Sequence, residues 1–344
     1  MTLKEFIDLV QERLSAHYPE QECKAIALRM LKECLCGYRG YEHLVEPGRS
    51  VCGFALSGTF VKGCAAGAGA VGAGAVGAGA ADAGAADGGA GCNADGTVED
   101  FLLAAVERLS TGEPLQYVLG YEWFCGHRFN VAPGVLVPRP ETEELVRGVV
   151  ERAERSFKGS VEAPLRILDI CTGSGCIAWS VAAALPGAQV FGCDISSQAL
   201  GIARGQEVYA ADGEGRAAVK FFECDILAED ALERIARECG EAKFDIVVSN
   251  PPYVCESEKA LMRRNVLDFE PAIALFVPDS NPLVFYRRIA ELSGRILEPG
   301  GRLLFEINER FGKETADAME GVGFKDCKVL EDFFGKDRMV EGIF

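Results

Sequence analysis

The chain has 344 residues, which is long enough for two domains with sizeable cores. Its formal net charge is −17, which argues against nucleic acid as the main partner, because proteins that grip a nucleic-acid backbone usually carry a basic face. No apolar run is long enough for a membrane span and no signal peptide opens the chain, so we expect a cytoplasmic protein whose 14 cysteines are free thiols. No metal is expected, because Cys34 and Cys36, the only close cysteine pair, lack the two-residue gap of a zinc knuckle.

Residues 1–114 are predicted to form a small helical domain. Thr2 and Glu5 have the spacing of a capping box, and further helices are predicted over residues 19–36, ending at Gly37, and over 98–109. Residues 65–91 are almost entirely Ala and Gly and bury too little side-chain surface to offset the entropy of ordering. They predict a disordered loop insertion, over about residues 48–96, with an adhesive silk-like strand as the alternative.

A β-hairpin over residues 115–131, with Gly120 and Gly126 at its turns, is predicted within a linker that spans residues 115–140. Residues 141–344 then alternate between strand and helix patterns, which is typical of a doubly wound α/β domain. The last two strands are predicted to form an antiparallel hairpin around Gly335 that closes the sheet. The predicted parallel strands cover residues 166–170, 189–193, 220–224, 244–249 and 302–307.

The first strand of this domain runs into a turn that contains Gly173 and Gly175. Nicotinamide, flavin and S-adenosylmethionine enzymes all use such turns, because glycine lets a ligand approach the backbone closely. Two carboxylates favour S-adenosylmethionine. Asp169 can bond its ammonium group directly or through water, and Asp194, at the end of the next strand, can accept both ribose hydroxyls. The alternative role for Asp194 is a helix N-cap.

The third strand ends in Asp225 and Ile226, at the place where an adenine ring is expected. Asp225 can accept a hydrogen bond from the exocyclic amine, and Ile226 can pack on the ring. A plain turn-forming role explains Asp225 equally well when that residue is considered alone.

The most informative motif is Asn250-Pro251-Pro252-Tyr253, directly after the fourth strand. Two prolines stop the strand and keep Asn250 extended, at the edge of the sheet where α/β proteins bind ligands. The Asn250 side-chain oxygen and the Pro251 carbonyl can each accept a hydrogen from a planar NH2 group, while the Tyr253 ring stacks on its plane. These residues predict methyl transfer to a planar nitrogen, a reaction that needs orientation more than a strong base.

Six segments carry a resemblance to one family, and they lie along nearly the whole chain outside the Ala/Gly tract. In order they are GEPLQYVLG (112–120), VPRPETE (137–143), DICTGSG (169–175), NPPY (250–253), FEINERFG (305–312) and GKDRMV (335–340). Together they make the chain similar to the release-factor glutamine methyltransferases, the PrmC/HemK family. The resemblance implies a Rossmann-like class I methyltransferase fold and transfer of a methyl group from S-adenosylmethionine, without a metal, to the side-chain N5 of a glutamine.

The same resemblance implies the partner and the site. The glutamine belongs to the Gly-Gly-Gln loop of class I peptide chain release factors, and a monomeric enzyme is expected. The family's substrate contacts correspond to Asn250, Pro251, Pro252 and Tyr253. Its cofactor contacts correspond to Cys171, Thr172, Gly173, Ser174, Gly175, Asp194, Ile226 and Asn250. The chain departs from the family pattern at two of these positions, since Cys171 replaces a common glycine and Ile226 a common aromatic residue.

Two other functions remain open from the sequence. An N6-adenine or N2-guanine nucleic-acid methyltransferase uses the same four-residue corner, but such enzymes must reach and flip a base and usually carry a basic surface. A protein that binds cofactor or release factor without turnover is the non-enzymatic alternative.

Overall fold

The computed structural model describes residues 1–35, 98–156 and 164–344, apart from residues 212, 214 and 242. The predicted Ala/Gly insertion and the predicted helix stop at Gly37 lie outside the described residues. The chain divides into two compact units, Met1–Gly120 and Tyr121–Phe344. The predicted division into a helical domain, a linker and an α/β domain at residues 114 and 140 stays a prediction.

The first unit is helical. Its described helices are α1 (Leu3–Leu14), α2 (Glu20–Leu35), α3 (Val98–Ser110) and α4 (Leu115–Leu119). The capping box of α1 is present, because the Glu5 backbone N–H donates to the Thr2 hydroxyl at 3.3 Å and the Thr2 N–H donates to the Glu5 carboxylate at 2.6 Å. A single apolar cluster joins these helices. Its largest members include Phe6, Leu14, Met30, Leu31, Leu102 and Leu109, all of them fully buried.

The predicted hairpin over residues 115–131 was wrong in its first five residues, which form α4. Gly120 ends this helix with φ +82°, a conformation that glycine adopts readily, and its N–H donates to the Gln116 carbonyl at 2.8 Å. The hairpin itself consists of β1 (Tyr121–Phe124) and β2 (His127–Asn130). Its two turn residues, Cys125 and Gly126, both have positive φ, which is typical of a tight type I′ turn.

The second unit contains a seven-stranded sheet in the order β10-β11-β9-β6-β3-β4-β5. The strands β9, β6, β3, β4 and β5 are parallel, and β11 is antiparallel to both of its neighbours. This arrangement confirms the predicted doubly wound sheet with a closing antiparallel hairpin. The strands are β3 (Arg166–Ile170), β4 (Gln189–Asp194), β5 (Val219–Glu223), β6 (Phe244–Ser249), β9 (Leu297–Glu306), β10 (Lys325–Glu331) and β11 (Asp337–Ile343).

Helices cover both faces of the sheet, which explains why the central strands are apolar almost throughout. One core cluster joins the sheet to α8, α11 and α12, and the other joins it to α5, α6 and α7. The helices are α5 (Pro140–Ser156), α6 (Cys176–Ala184), α7 (Ser197–Arg204), α8 (Ala231–Cys239), α9 (Arg264–Phe269), α10 (Ala272–Leu275), α11 (Val284–Ile296) and α12 (Gly312–Gly321). A short parallel pair, β7 (Val254–Cys255) and β8 (Phe276–Val277), follows the Asn250–Tyr253 corner.

None of the helices in the described parts of the chain is long and apolar enough to cross a membrane.

Candidate active site

A cavity of about 270 Å³ lies at the carboxyl ends of β3, β4, β5 and β6. The chain reverses its direction of strand addition between β3 and β6, and open α/β sheets bind ligands at such a point. The cavity is lined by Gly134, Val135, Leu136, Ile170, Cys171, Gly173, Cys193, Asp194, Ile195, Ser196, Ala199, Cys224, Asp225, Ile226, Leu227, Asn250, Pro252, Pro271, Ile273, Ala274 and Phe285.

The turn between β3 and α6 forms one wall of the cavity. Three of its residues have positive φ: Cys171 at +60°, Gly173 at +55° and Gly175 at +78°. Gly175 also needs its lack of a side chain, because a Cβ there would lie 3.0 Å from Phe221 and from Trp179. Cys171 occupies the left-handed region that favours glycine, at a backbone cost on the order of 1 kcal/mol. A non-glycine residue therefore adopts this conformation, at the position where the resemblance implies a glycine.

Asp194, at the end of β4, faces the cavity and is held by two backbone N–H groups. Gly173 donates to its Oδ2 and Ser196 donates to its Oδ1, each at 2.9 Å. Burial raises the pKa of Asp194, and the hydrogen bonds from Ser196 and Gly173 oppose that rise. Each carboxylate oxygen accepts one of these bonds and retains a further lone pair for a ligand hydroxyl. The N-cap of α7 is Ser196, two residues after Asp194. The Ser196 hydroxyl accepts from the Ala199 N–H.

Asp169 lies one strand away and is fully buried, but it does not line the cavity. Its Oδ2 accepts from the Thr172 hydroxyl, which holds the turn. Its Oδ1 has no hydrogen bond of ordinary geometry within the described part of the chain, although the Ala178 N–H is close enough to favour the charged form. Burial raises the pKa of Asp169 to about 7, and the Thr172 hydrogen bond and the nearby Ala178 N–H oppose the rise. Among the described residues this carboxylate has no positively charged partner, which fits a cationic ligand nearby.

The raised pKa of Asp169 predicts a pH dependence of stability. Between its ordinary value of 3.8 and about 7, the folded protein keeps a proton that the unfolded chain has lost. Stability therefore falls as pH rises through this window, by at most about 1.4 kcal/mol per pH unit from this group. Asp169→Asn removes the titration, so its stability relative to wild type is expected to increase from pH 4 to pH 7.

Urea unfolding of both proteins across that pH range measures the difference. Asp268→Asn, at an exposed position, is the matched control for the substitution itself. A constant difference between Asp169→Asn and wild type at every pH would contradict the prediction.

Asp225 and Ile226 line the cavity at the end of β5, as the sequence predicts. The Asp225 Oδ1 accepts from the Leu227 N–H at 2.9 Å, so one of its oxygens holds its own turn. Ile226 is 4% exposed, and its carbonyl accepts from the Arg288 Nε at 3.1 Å. Ile226 and Leu227 give this wall an aliphatic surface suited to a flat ring.

The corner after β6 places Asn250 and Pro252 on the opposite wall. The Pro251 carbonyl accepts no hydrogen bond within the described residues, so its lone pairs remain available. Tyr253 does not line the cavity. The Tyr253 hydroxyl donates to the Glu306 Oε1 at 3.1 Å. Burial raises the pKa of this phenol, and the neighbouring Glu306 adds to the rise.

Of the residues predicted from sequence, the structure gathers seven around the cavity: Cys171, Gly173, Asp194, Asp225, Ile226, Asn250 and Pro252. The other six lie behind these or beside them: Asp169, Thr172, Ser174, Gly175, Pro251 and Tyr253. Among the residues that the structure describes, no group of three or more His, Cys, Asp or Glu is arranged to hold a metal ion.

Sequence reasoning missed two buried carboxylates near the corner. Glu306, 2% exposed, ends β9 and accepts from Thr142 and Tyr253. Glu270, 6% exposed, accepts from the Val137 N–H at 3.1 Å and from Arg139 at 2.5 Å, and so ties down the segment that supplies Gly134–Leu136 to the cavity. The signal for Glu306 was present in the sequence, because a charged residue at the end of the apolar run Leu303–Phe305 requires hydrogen-bond partners once buried.

The comparisons with known proteins agree with this geometry. Residues 157–267 match the family model described as "Methyltransferase small domain". The doubly wound sheet and this match define a class I methyltransferase.

Curated relatives narrow the class further. The chain is 48% identical over 233 residues to the release factor glutamine methyltransferase of Bacteroides thetaiotaomicron, covering 68% of this chain and 77% of the relative. It is 43% identical over 234 residues to that of Flavobacterium psychrophilum, covering 68% and 76%. The chain belongs to the release factor glutamine methyltransferase family. A solved protein-(glutamine-N5) methyltransferase (release factor-specific) from Alicyclobacillus acidocaldarius is 25% identical, with a TM-score of 0.38, covering 62% of this chain and 98% of that chain.

Proposed function

We propose that this enzyme transfers a methyl group from S-adenosylmethionine to the side-chain N5 of the glutamine in the Gly-Gly-Gln loop of peptide chain release factors. The observation that carries the proposal is the Asn250–Tyr253 corner, which opens onto the cavity opposite Asp194. Such a corner presents acceptors to a planar NH2 group, and a glutamine side chain carries that group.

The residues around the cavity fit S-adenosylmethionine chemically. Asp194 would hold the ribose hydroxyls, the Gly173 turn would border the amino-acid part, and Ile226 with Leu227 would cover the adenine. The Asp169 Oδ1, which has no hydrogen-bond partner within the described residues, would add negative potential behind the turn, on the side suited to an ammonium group. When bound, S-adenosylmethionine supplies an electrophilic methyl group, and the protein requires no metal for that chemistry.

The acceptor side depends on Asn250 and Pro251. The Asn250 side-chain oxygen and the Pro251 carbonyl would accept the two N–H groups of the glutamine amide. They would orient its nitrogen and stabilise the positive charge that develops there as the new N–C bond forms. The S–CH3 bond would break at the same time, its electron pair would stay on sulfur, and S-adenosylhomocysteine would be the second product. Tyr253 would support the amide plane from a position fixed by its own hydroxyl bond to Glu306. The amide nitrogen then loses one proton to solvent, which leaves a neutral N5-methylated product.

The direct test is mass spectrometry of a release factor after incubation with the enzyme and S-adenosylmethionine. The expected result is one added methyl group on the glutamine of the Gly-Gly-Gln loop. Duplex DNA and ribosomal RNA, tested under the same conditions, are expected to gain none. Methylation of either nucleic acid in place of the release factor would overturn the proposed function.

Residues 1–114 are proposed to bind the body of the release factor. The described helices of this segment form a compact core of their own, which suits a separate docking function. A short peptide that contains only the Gly-Gly-Gln loop lacks the surface for this contact. Its kcat/KM is therefore expected to lie well below that of the intact release factor, and equal values would rule out the docking role.

A further inference from the structure

A chain of hydrogen bonds runs from Asn250 into the protein interior. The Asn250 Nδ2 donates to the Thr142 hydroxyl oxygen at 3.3 Å, and the Thr142 hydroxyl donates to the Glu306 Oε2 at 2.6 Å. Thr142 and Glu306 are each 2% exposed, so water does not compete for these bonds. These hydrogen bonds link the first turn of α5, which contains Thr142, to the corner after β6 and to the end of β9.

The Glu306 carboxylate, at the buried end, fixes the direction of both hydrogen bonds in this series. An ionised carboxylate only accepts hydrogen bonds, so the single Thr142 hydroxyl proton is committed to Glu306. The Thr142 oxygen then has only lone pairs to offer, and Asn250 must present its NH2 group to it. The reverse orientation of the Asn250 amide would face its oxygen toward the Thr142 oxygen with no proton between them, which is unfavourable.

This direction matters for the outward-facing half of the Asn250 amide. With the NH2 group committed to Thr142, the side-chain oxygen is the atom left for a ligand. A substrate NH2 group needs an acceptor, and an amide rotated by half a turn would offer it a second donor instead. Because the orientation is set before substrate arrives, no reorganisation is needed during the reaction.

The Glu306 carboxylate also takes part in a second set of hydrogen bonds. The Tyr253 hydroxyl donates to the Glu306 Oε1, and the Asn308 Nδ2 donates to the Tyr253 carbonyl at 3.2 Å. One buried group thus holds both ends of the Asn250–Tyr253 corner. Burial raises the pKa of Glu306, while the bonds from Thr142 and Tyr253 and the positive charge of Arg338 oppose the rise and the neighbouring Glu141 adds to it.

We propose that Thr142 and Glu306 are positioning residues that select one orientation of the Asn250 amide and so make Asn250 an acceptor for the substrate NH2 group. The inference rests on the proposed function, and neither residue touches the reacting atoms. The same hydroxyl and carboxylate in a purely structural role would stabilise the fold without affecting which end of Asn250 faces the substrate.

The test compares Thr142→Val with Thr142→Ser. Valine keeps the shape of threonine but has no hydroxyl, whereas serine keeps the hydroxyl. Thr142→Val is expected to lower kcat for release-factor methylation by about tenfold, which corresponds to ~1.4 kcal/mol in the transition state. The KM for release factor and the Kd for S-adenosylhomocysteine should change much less. Thr142→Ser is expected to recover most of the lost kcat.

Thr315→Val is a matched control. Thr315 is fully buried on α12, and its hydroxyl has no hydrogen-bond partner within the described part of the chain. The same loss of a buried hydroxyl there is expected to leave kcat unchanged. Thermal unfolding of all three variants reports whether each one is folded. Glu306→Gln provides a second way to break these hydrogen bonds, because Thr142 and Tyr253 donate to different carboxylate oxygens and glutamine replaces one of those oxygens with an NH2 group.

A spectroscopic measurement reads the orientation without turnover. The Asn250 side-chain NH2 signal of ¹⁵N-labelled protein is identified by its absence from Asn250→Ala. Its hydrogen exchange is expected to accelerate in Thr142→Val and to stay slow in Thr315→Val.

The outcomes separate the two proposals. A wild-type enzyme that adds no methyl group to glutamine overturns the proposed function, and the positioning role with it. An active wild type together with a folded Thr142→Val that keeps wild-type kcat overturns the positioning role alone. Equal kcat losses in Thr142→Val and Thr142→Ser would also overturn it, because only one of them lacks the hydroxyl.

Discussion

Asn250→Ala is expected to lower kcat for glutamine methylation by about 10²–10³-fold, the effect of removing one acceptor from a preorganised site. The substitution deletes the side-chain oxygen that we propose binds the substrate NH2 group, and the Pro251 carbonyl is then the one proposed acceptor that remains. The affinity for S-adenosylhomocysteine should fall far less, because Asn250 contributes only one part of the cavity wall. Single-turnover kinetics with release factor and calorimetry with S-adenosylhomocysteine measure the two effects separately.

Asn281→Ala is a suitable control for that experiment. Asn281 is exposed and does not line the cavity, so its replacement tests the chemistry of the substitution at a neutral position. An Asn250→Ala enzyme with the wild-type kcat would show that the assignment of Asn250 is wrong.

Asp194→Ala is expected to weaken binding of S-adenosylmethionine by about 100-fold or more. Two hydrogen bonds from ribose hydroxyls to a charged group are worth roughly 1.5–3 kcal/mol each, and the substitution also leaves the Gly173 and Ser196 N–H groups without their acceptor. Loss of the Gly173 contact should loosen the turn that borders the ligand. Isothermal titration with S-adenosylmethionine measures the change.

Asp225→Ala provides the comparison at the neighbouring strand end. One Asp225 oxygen already holds its own turn through the Leu227 N–H, so we expect a smaller loss of affinity there. An Asp194→Ala protein that binds within about threefold of wild type would contradict the proposed ribose contact.

The strands and the location of the site were predictable because they depend on local patterns. The apolar run Phe244–Ser249 followed by two prolines predicts a buried strand with an abrupt end, and the structure contains that strand at the same residues. Asp194, which ends β4, and Asp225, which follows β5, were predicted at the edge of the sheet for the same reason. Both line the cavity.

Other features depend on contacts between distant segments and were not predictable from local patterns. Leu115–Leu119 has the apolar spacing of either a short helix or a strand, and packing against the helical core selects the helix. Asp169 was expected near the ligand, yet a hydrogen bond to Thr172 directs it behind the turn. The bond from Thr142 to Glu306 joins residues 164 positions apart, and no spacing rule relates them.

The order of strands in the sheet has a consequence for how the chain reaches its native state. The segment Asp337–Ile343 is synthesised after the other six strands, yet it lies between two of them. Until it arrives, the strand Leu297–Glu306 has an unpaired edge, and the strand Lys325–Glu331 has no neighbour in the sheet. A nascent chain that still lacks this segment therefore exposes an unpaired β edge, and such edges recruit other chains. High expression levels should consequently increase the fraction of the protein found in inclusion bodies. Slower translation of the final segments should increase that fraction further.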